Sequence, residues 1–471
     1  MSAAAAWRYH DATKHSLASL RANTHQLDWA NQPLPFKIYT SLEPITLPRE
    51  YVRSEVVDRA ALARICFYAN GITRVLRRRG GQMPFRAAAC TGALYHIELY
   101  VVCQDVPDLA AGVYHYGAHD HALRQLRAGD FRAALVDATG AEPHVVQAPA
   151  VIVCTSTFWR NAWKYQARAY RHSFWDSGTI LANLLAVEPT ASIVAGFADD
   201  ALNQLLDVDA AHEAAICLVP IGSDASAPGA APAMPPLGLP VQQLSRTEVD
   251  YPAITEMHAA SSLPDGAAAA RWRASLASAP DPWTVPGPPI EEVITRRGSS
   301  RRFSRAAIGR DQLDTILAAA TAPIPADWGQ RLTTPYLIVN AVDDLDAGSY
   351  VFDGDLQPLR TGDFRDIAGF LDLGQELAAD AAVNVYSLVD LHHVLARLGD
   401  RGYRAVQLEG AVEGGRLYLG AYALGLSATG LTFFDDDVTR FFSPHAADQS
   451  VMFLTAIGVT PNRTPAPSRD V

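Results

Sequence analysis

Lysine is scarce in this chain. Only Lys14, Lys37 and Lys164 occur in 471 residues, and acidic residues exceed basic ones by enough to give a net charge of −11. A nucleic-acid surface needs clustered Lys and Arg to displace counterions, so that class of function is set aside. Cysteine is also rare: Cys66, Cys90, Cys103, Cys154 and Cys217 show no CxxC spacing. Most lie in apolar runs such as residues 151–154, which reads as buried thiols in a reducing compartment. No apolar stretch approaches the roughly 20 residues of a membrane span. The N-terminus reaches Arg8 before the apolar core of a signal peptide could form. The expectation is a cytoplasmic protein with neither membrane nor nucleic acid as partner. There is no G-x-x-x-x-G-K-[ST], strand-linked G-x-G-x-x-G or G-x-S-x-G, so nucleotide hydrolysis, a Rossmann site and an α/β-hydrolase lack support.

Apolar residues make up 49% and charged residues 19%, the balance of a well-buried globule. The length exceeds what one core usually organises. Two domains are expected because the halves repeat each other. Ala111-Gly112-Val113-Tyr114 returns as Ala347-Gly348-Ser349-Tyr350, a shift of 236, and Arg127-Ala128-Gly129-Asp130-Phe131-Arg132 returns as Arg360-Thr361-Gly362-Asp363-Phe364-Arg365, a shift of 233. Ala169-Tyr170-Arg171 answers Gly402-Tyr403-Arg404, and Ile221-Gly222 answers Ile457-Gly458. Residues 223–241, rich in Ala, Pro and Gly, read as linker. The division is a first copy over 1–222, a linker and connecting segment over 223–290, and a second copy over 291–471. Each copy reads as a helix (60–70; 311–321), strands (97–103; 336–342), long helices and a last strand (215–220; 451–457). The fold class is α+β, a mostly antiparallel sheet flanked by helices, present twice as a pseudo-dimer within one chain. Residues 409–430 read as a long helix full of small residues, which suits close backbone packing at an interface between copies.

The sharpest local signal is Arg297-Gly298-Ser299-Ser300-Arg301-Arg302-Phe303. In an extended segment, Arg297, Ser299 and Arg301 project to one side and offer two forked cations and a hydroxyl, a phosphate site. The competing reading is a solvated basic loop.

This R-x-S-x-R-x-F pattern, opening a helix, resembles the FMN-phosphate motif of the nitroreductase superfamily. Residues 9–15, 86–98 and 164–171 resemble its SagB-type dehydrogenase branch, whose members oxidise thiazolines and oxazolines in peptide natural products. Within 86–98, Ala89, Cys90 and His96 depart from the family's Pro-Ser-Ala-Gly-Ala-Leu-Tyr-Pro loop. The resemblance implies bound FMN, a cover loop containing Ala89, Cys90, Thr91 and Gly92, and backbone of the Gly430-Leu431-Thr432 turn near the flavin's polar edge. It also implies that one copy holds the phosphate while the other covers the ring.

What the repeat fails to repeat assigns the copies. Aligning Leu62 with Leu313 sets Thr46, Pro48 and Glu50 opposite Arg297, Ser299 and Arg301. A carboxylate repels phosphate, so the first copy has lost the site. Arg463 follows Ile457-Gly458 in the second copy only and joins the phosphate set. Lys164 and Tyr165 face Arg397 and Leu398 under the 233 shift, so this pair is specific to the first copy. In the dehydrogenases that this chain resembles, such a pair removes the ring proton, which a desolvated lysine can do as the neutral amine. The alternative is a solvent-facing lysine beside a packed tyrosine. Arg171 and Arg404, present in both copies, read as structural ion-pair partners.

His115, His119 and His121 have metal-ligand spacing, but Val351 answers His115, and no metal is expected. The expected function is an FMN-dependent oxidoreductase acting on thiazoline- or oxazoline-like rings of a peptide or carrier-bound substrate, with molecular oxygen as a candidate electron acceptor. Two alternatives stay open: an NAD(P)H-dependent nitro or quinone reductase, and a non-catalytic scaffold in a biosynthetic complex.

Overall fold

A computed structural model of the chain describes residues 3–51, 56–78, 81–273 and 284–461. The first copy contributes β1 (Ile45–Thr46), a hairpin of β2 (Ile72–Arg78) and β3 (Gly81–Arg86), β4 (Ile97–Cys103), β5 (Gly112–Gly117), β6 (Ala122–Ala128), β7 (Ala150–Thr157) and β8 (Glu213–Ile221). The second contributes β9 (Thr334–Val339), β10 (Gly348–Asp353), β11 (Asp355–Thr361), β12 (Val383–Val389), β13 (Ser427–Gly430) and β14 (Ser450–Gly458). Two six-stranded antiparallel sheets result, ordered β1-β6-β5-β4-β7-β8 and β11-β10-β9-β12-β14-β13. The shared order β6-β5-β4-β7-β8 and β11-β10-β9-β12-β14 is the repeat made visible. Its irregularities repeat as well. The register slips between Val113 and Tyr114 and again between Ser349 and Tyr350, then between Cys154 and Thr155 and again between Ser387 and Leu388.

The helix Ala169–Val187 of the first copy packs against Arg401–Ala423 of the second. Small residues set how close they come. A Cβ on Gly178 would lie 2.5 Å from the Ala411 Cβ, and one on Gly415 would lie 2.5 Å from the Ala182 Cβ, so neither position tolerates a side chain without backbone movement. The helix expected to run to Gly430 stops earlier, at Ala423. Gly425 turns the chain at φ 80°, and residues 427–430 leave as β13, too short a strand to show alternation. One apolar cluster draws on both copies, joining Leu62, Ile97 and Phe174 to Val406, Leu408 and Met452.

Two buried clamps cross the seam in opposite directions. Arg168 and Arg171 of the first copy pair with Asp435 of the second at 3.0 and 2.6 Å. Arg401 and Arg404 of the second pair with Asp199 of the first, each at 2.6 Å. Against the opposing effect of burial, the two arginines hold the Asp435 carboxyl well below the usual range, and Arg401 and Arg404 hold Asp199 down to about 2. Each clamp also ties down a helix. Arg171 donates to the His10 carbonyl and the Thr13 hydroxyl, at the end of helix Ala4–Ala12. Arg404 donates in the same way to the His258 carbonyl and the Ser261 hydroxyl, at the end of helix Pro252–Ala260. By these contacts Pro252–Ala260, within the segment read as connecting, stands to the second copy as Ala4–Ala12 stands to the first. Among the described residues no helix is long and apolar enough to cross a membrane.

Candidate active site

A cavity of about 1130 Å³ opens at the seam. Its walls bring together Ala89, Cys90, Thr91, Gly92, Lys164 and Tyr165 from the first copy with Arg297, Ser299, Arg301, Gly430 and Leu431 from the second. Arg463 lies outside the described residues.

The phosphate-type motif leaves helix Ile290–Arg296 in extended geometry, with Arg297 at φ −57°, ψ 140°. The Ser300 N–H donates to the Ala428 carbonyl of β13 at 3.0 Å. Ser300 is buried while Ser299 and Arg301 on either side of it are exposed, the side-to-side alternation expected of an extended segment. The Arg297 Nε and Nη2 donate to the Ala87 and Arg86 carbonyls of the first copy at 2.8 and 3.2 Å, so part of this guanidinium already joins the copies. Ser299 shares a 3.1 Å hydrogen bond with the Tyr418 hydroxyl. Arg301 has neither a hydrogen bond nor an ion pair among the described residues. A bare guanidinium, a hydroxyl and the side-chain-free Gly298 beside them fit a phosphate monoester. The first copy uses the answering segment differently: Ile45 and Thr46 form an edge strand on β6, and the Pro48 carbonyl lies 3.0 Å from His121 Nε2.

The cover loop is fixed by a residue that sequence reasoning missed. Asp176, on helix Ala169–Val187, accepts from the Cys90 thiol at 3.0 Å, the Thr91 N–H at 2.9 Å and the Thr91 hydroxyl at 2.8 Å, and it lies 2.8 Å from His96 Nε2. Thr179, one turn on, donates to the Ala89 carbonyl at 2.7 Å. Cys90 and His96, both departures from the family loop, therefore share one carboxylate. Burial and then the Asp176 charge push the Cys90 thiol well above its usual value, so it is a protonated donor and not a nucleophile. Gly92 sits at φ 64°, and a Cβ there would come 2.8 Å from the Tyr165 hydroxyl; both facts call for glycine.

Lys164 and Tyr165 end helix Phe158–Tyr165, where Gln166 at φ 51° turns the chain. Both are half-buried. Lys164 Nζ lies 5.1 Å from the Tyr165 ring centre, with no carboxylate paired to it among the described residues. Burial, and then Arg301, lower the lysine from its usual value, which favours the neutral amine. Burial, then Asp176, raise the Tyr165 phenol, so its hydroxyl keeps its proton. The Gly430 N–H donates to the Tyr418 hydroxyl and the Leu431 N–H to the Leu454 carbonyl. These two residues shape the wall, and their amides are engaged within the protein. His115 and His121 have separate partners, Glu98 and the Tyr116 hydroxyl.

No family model matches the chain. A protein of Methanocaldococcus jannaschii that carries the name nitroreductase is 26% identical over 178 residues, 37% of this chain and 84% of that relative. A crystal structure from Anabaena variabilis, also named as a nitroreductase, superposes at a TM-score of 0.81 with 28% identity, covering 97% of this chain and 99% of its own. These likenesses support the nitroreductase superfamily. The E. coli microcin synthetase McbBCD complex with truncated pro-MccB17 bound is 18% identical at a TM-score of 0.32, over 46% of this chain and 87% of that one.

In this nitroreductase-like chain the second, pseudo-symmetric place at the seam is filled by protein. The segment ahead of β9 lies where the cover loop lies ahead of β4. The Pro325 carbonyl accepts from the Ile193 N–H at 2.7 Å. The Asp327 carboxylate accepts from the Ala195 and Gly196 N–H groups at 2.9 and 2.8 Å, on the stretch that answers residues 431–432. Trp328 is fully buried, and its indole donates to Glu409 at 2.8 Å.

Proposed function

We propose that the chain is an FMN-dependent oxidoreductase with one catalytic centre, in the seam cavity. The carrying observation is that a single cavity joins Arg301, a guanidinium without a counter-ion among the described residues, to Lys164, a partly desolvated amine from the other copy. Arg297, Ser299 and Arg301 hold the phosphate, with Arg463 added from the end of the chain, and the loop over Ala89–Gly92 covers the ring. When bound, FMN supplies a two-electron acceptor. Lys164 takes the proton from one ring carbon, the hydride that FMN would accept coming from the adjacent one, and the protonated Tyr165 hydroxyl orients the reacting group. The buried Asp176 keeps the cover loop in one shape, so the amine does not have to wait for loop closure.

The substrate class we infer is a thiazoline- or oxazoline-like ring in a peptide or carrier-bound molecule, oxidised with molecular oxygen as the final acceptor. Support comes from the residues 86–98 and 164–171 that resemble azoline dehydrogenases and from the confinement of the Lys-Tyr pair to one copy. The competing reading, a nitro or quinone reductase, differs in its electron source. Purified protein should be yellow, with about one FMN per polypeptide. Rapid mixing with NAD(P)H should leave that colour unchanged, whereas fast bleaching would establish the reductase. A colourless chain that cannot be reconstituted would leave only the scaffold reading.

A further inference from the structure

The hairpin β2–β3 has no counterpart in the second copy. Between helix Arg59–Asn70 and β4 the first copy inserts it, whereas helix Arg310–Thr321 passes to β9 without a strand. Residues 72–86 hold five arginines and no acidic residue, in a chain whose net charge is −11. One of them, Arg74, lines the seam cavity. Its guanidinium lies 4.6 Å from the centre of the Phe85 ring, across the hairpin, a cation–π contact. A Cβ on Gly298, inside the phosphate-type motif, would lie 3.9 Å from Arg74 Nη1.

The charges around the cavity do not balance. Among the described residues Asp176 is the only carboxylate in its walls, and it is already engaged by the cover loop. Among the basic residues, Lys14 pairs with Asp11 and Asp436, Arg168 with Asp435, and Arg86 donates to the Ile97 and Pro35 carbonyls. Arg74 and Arg301 have no hydrogen bond or ion pair among the described residues. Arg297 is also left without a carboxylate, and burial lowers it from the usual arginine value, with Arg74 adding to the effect. Guanidinium groups gathered in this way repel one another unless an anion lies between them.

We propose that Arg74 is a phosphate ligand of this cavity, contributed by the first copy to the FMN phosphate that the second copy's motif would hold. This rests on the FMN reading above. A phosphate monoester carries close to two negative charges at neutral pH and three acceptor oxygens. Arg297 has two of its donor groups on backbone carbonyls, so among the described residues Arg301 is the motif's one uncommitted guanidinium. Arg74 supplies a further fork from the other copy, and one anion then ties both copies together.

Flavin fluorescence titrations of the full-length apoprotein with FMN and with riboflavin, which lacks the phosphate, test this. Arg74→Ala should weaken FMN binding by about 10- to 100-fold, the loss expected for a hydrogen bond to a charged group, and leave riboflavin binding unchanged. Arg74→Lys, which keeps the charge but loses the fork, should fall between. Arg301→Ala serves as the reference. If Arg301→Ala weakens FMN selectively and Arg74→Ala does not, the Arg74 assignment is overturned while the FMN reading stands. Equal weakening of FMN and riboflavin by Arg74→Ala would make Arg74 a hairpin-packing residue and overturn it too. If neither variant separates FMN from riboflavin, the phosphate site itself is misplaced, and the Arg74 proposal fails with it.

Discussion

The loop ahead of β4 and the segment ahead of β9 start from the same plan. A carboxylate at the same position of the long helix, Asp176 in one copy and Glu409 in the other, gathers the donors of each. Asp176 takes a thiol, an N–H and a hydroxyl from small residues and lies against His96, and the result is the wall of a roomy cavity. Glu409, one methylene longer, takes the Trp328 indole, the Leu332 and Thr333 N–H groups and the Thr333 hydroxyl. There the large ring fills the space. Asp327 then occupies backbone donors on the first copy, and burial raises its carboxyl to about 6 even though those donors pull it down. Equivalent scaffolds thus diverge through side-chain volume: small residues keep one place open, and a tryptophan with two carboxylates closes the other.

The largest test of this contrast is at Lys164. Lys164→Ala should keep the flavin, since it touches no phosphate contact, and lower turnover by roughly 10²- to 10⁴-fold, the range for a lost general base. Arg397→Ala, at the answering position, should leave turnover unchanged. Steady-state rates normalised to bound flavin separate the two, and equal effects would remove the asymmetry. Next come the helix carboxylates. Asp176→Ala and Glu409→Ala each leave several donors without an acceptor and should each lower stability by on the order of 3 kcal/mol, read as denaturation midpoints. Only Asp176→Ala should also release FMN, because only its loop borders the cavity; FMN loss from Glu409→Ala alone would reverse the assignment of open and closed sides.

The smallest effect concerns pH and asks whether the two seam clamps are equivalent. Asp199 is held at about 2, against an ordinary 3.8. A depressed carboxyl contributes stability that is complete above its unfolded value and lost as pH falls through its folded value, here between about 4 and 2. The contribution is on the order of 2 kcal/mol. Asp199→Asn should flatten the acid limb of a stability-against-pH curve in that window, and Asp435→Asn should do the same from the other side. A flattened limb for one variant and not the other would show that the clamps differ.

Much of the architecture was legible because a repeat carries its own alignment: the 233 and 236 shifts mark the paired register slips, and residues 97–103 form the expected strand. The packing role of Gly415 was legible for a similar reason, since small residues in a helix lower its propensity without another gain. The helix Pro252–Ala260 escaped because Met257-His258 answers Tyr9-His10 at a different spacing, beyond a linker that broke the shift. The hairpin holding Arg74 had no second copy to reveal it. Asp176 left no local signal, since its partners lie some eighty residues earlier in the chain and meet it only through the fold. Arg171 and Arg404 were readable as ion-pair formers, but that each finds its carboxylate in the opposite copy was not.

That reciprocity governs how the molecule comes apart. Separating the copies would strand Arg168 and Arg171 without Asp435, and Arg401 and Arg404 without Asp199, while exposing the small-residue faces of both long helices. Neither half can loosen first without breaking a clamp in each, so heating should give one cooperative transition for the whole chain and not two staggered ones.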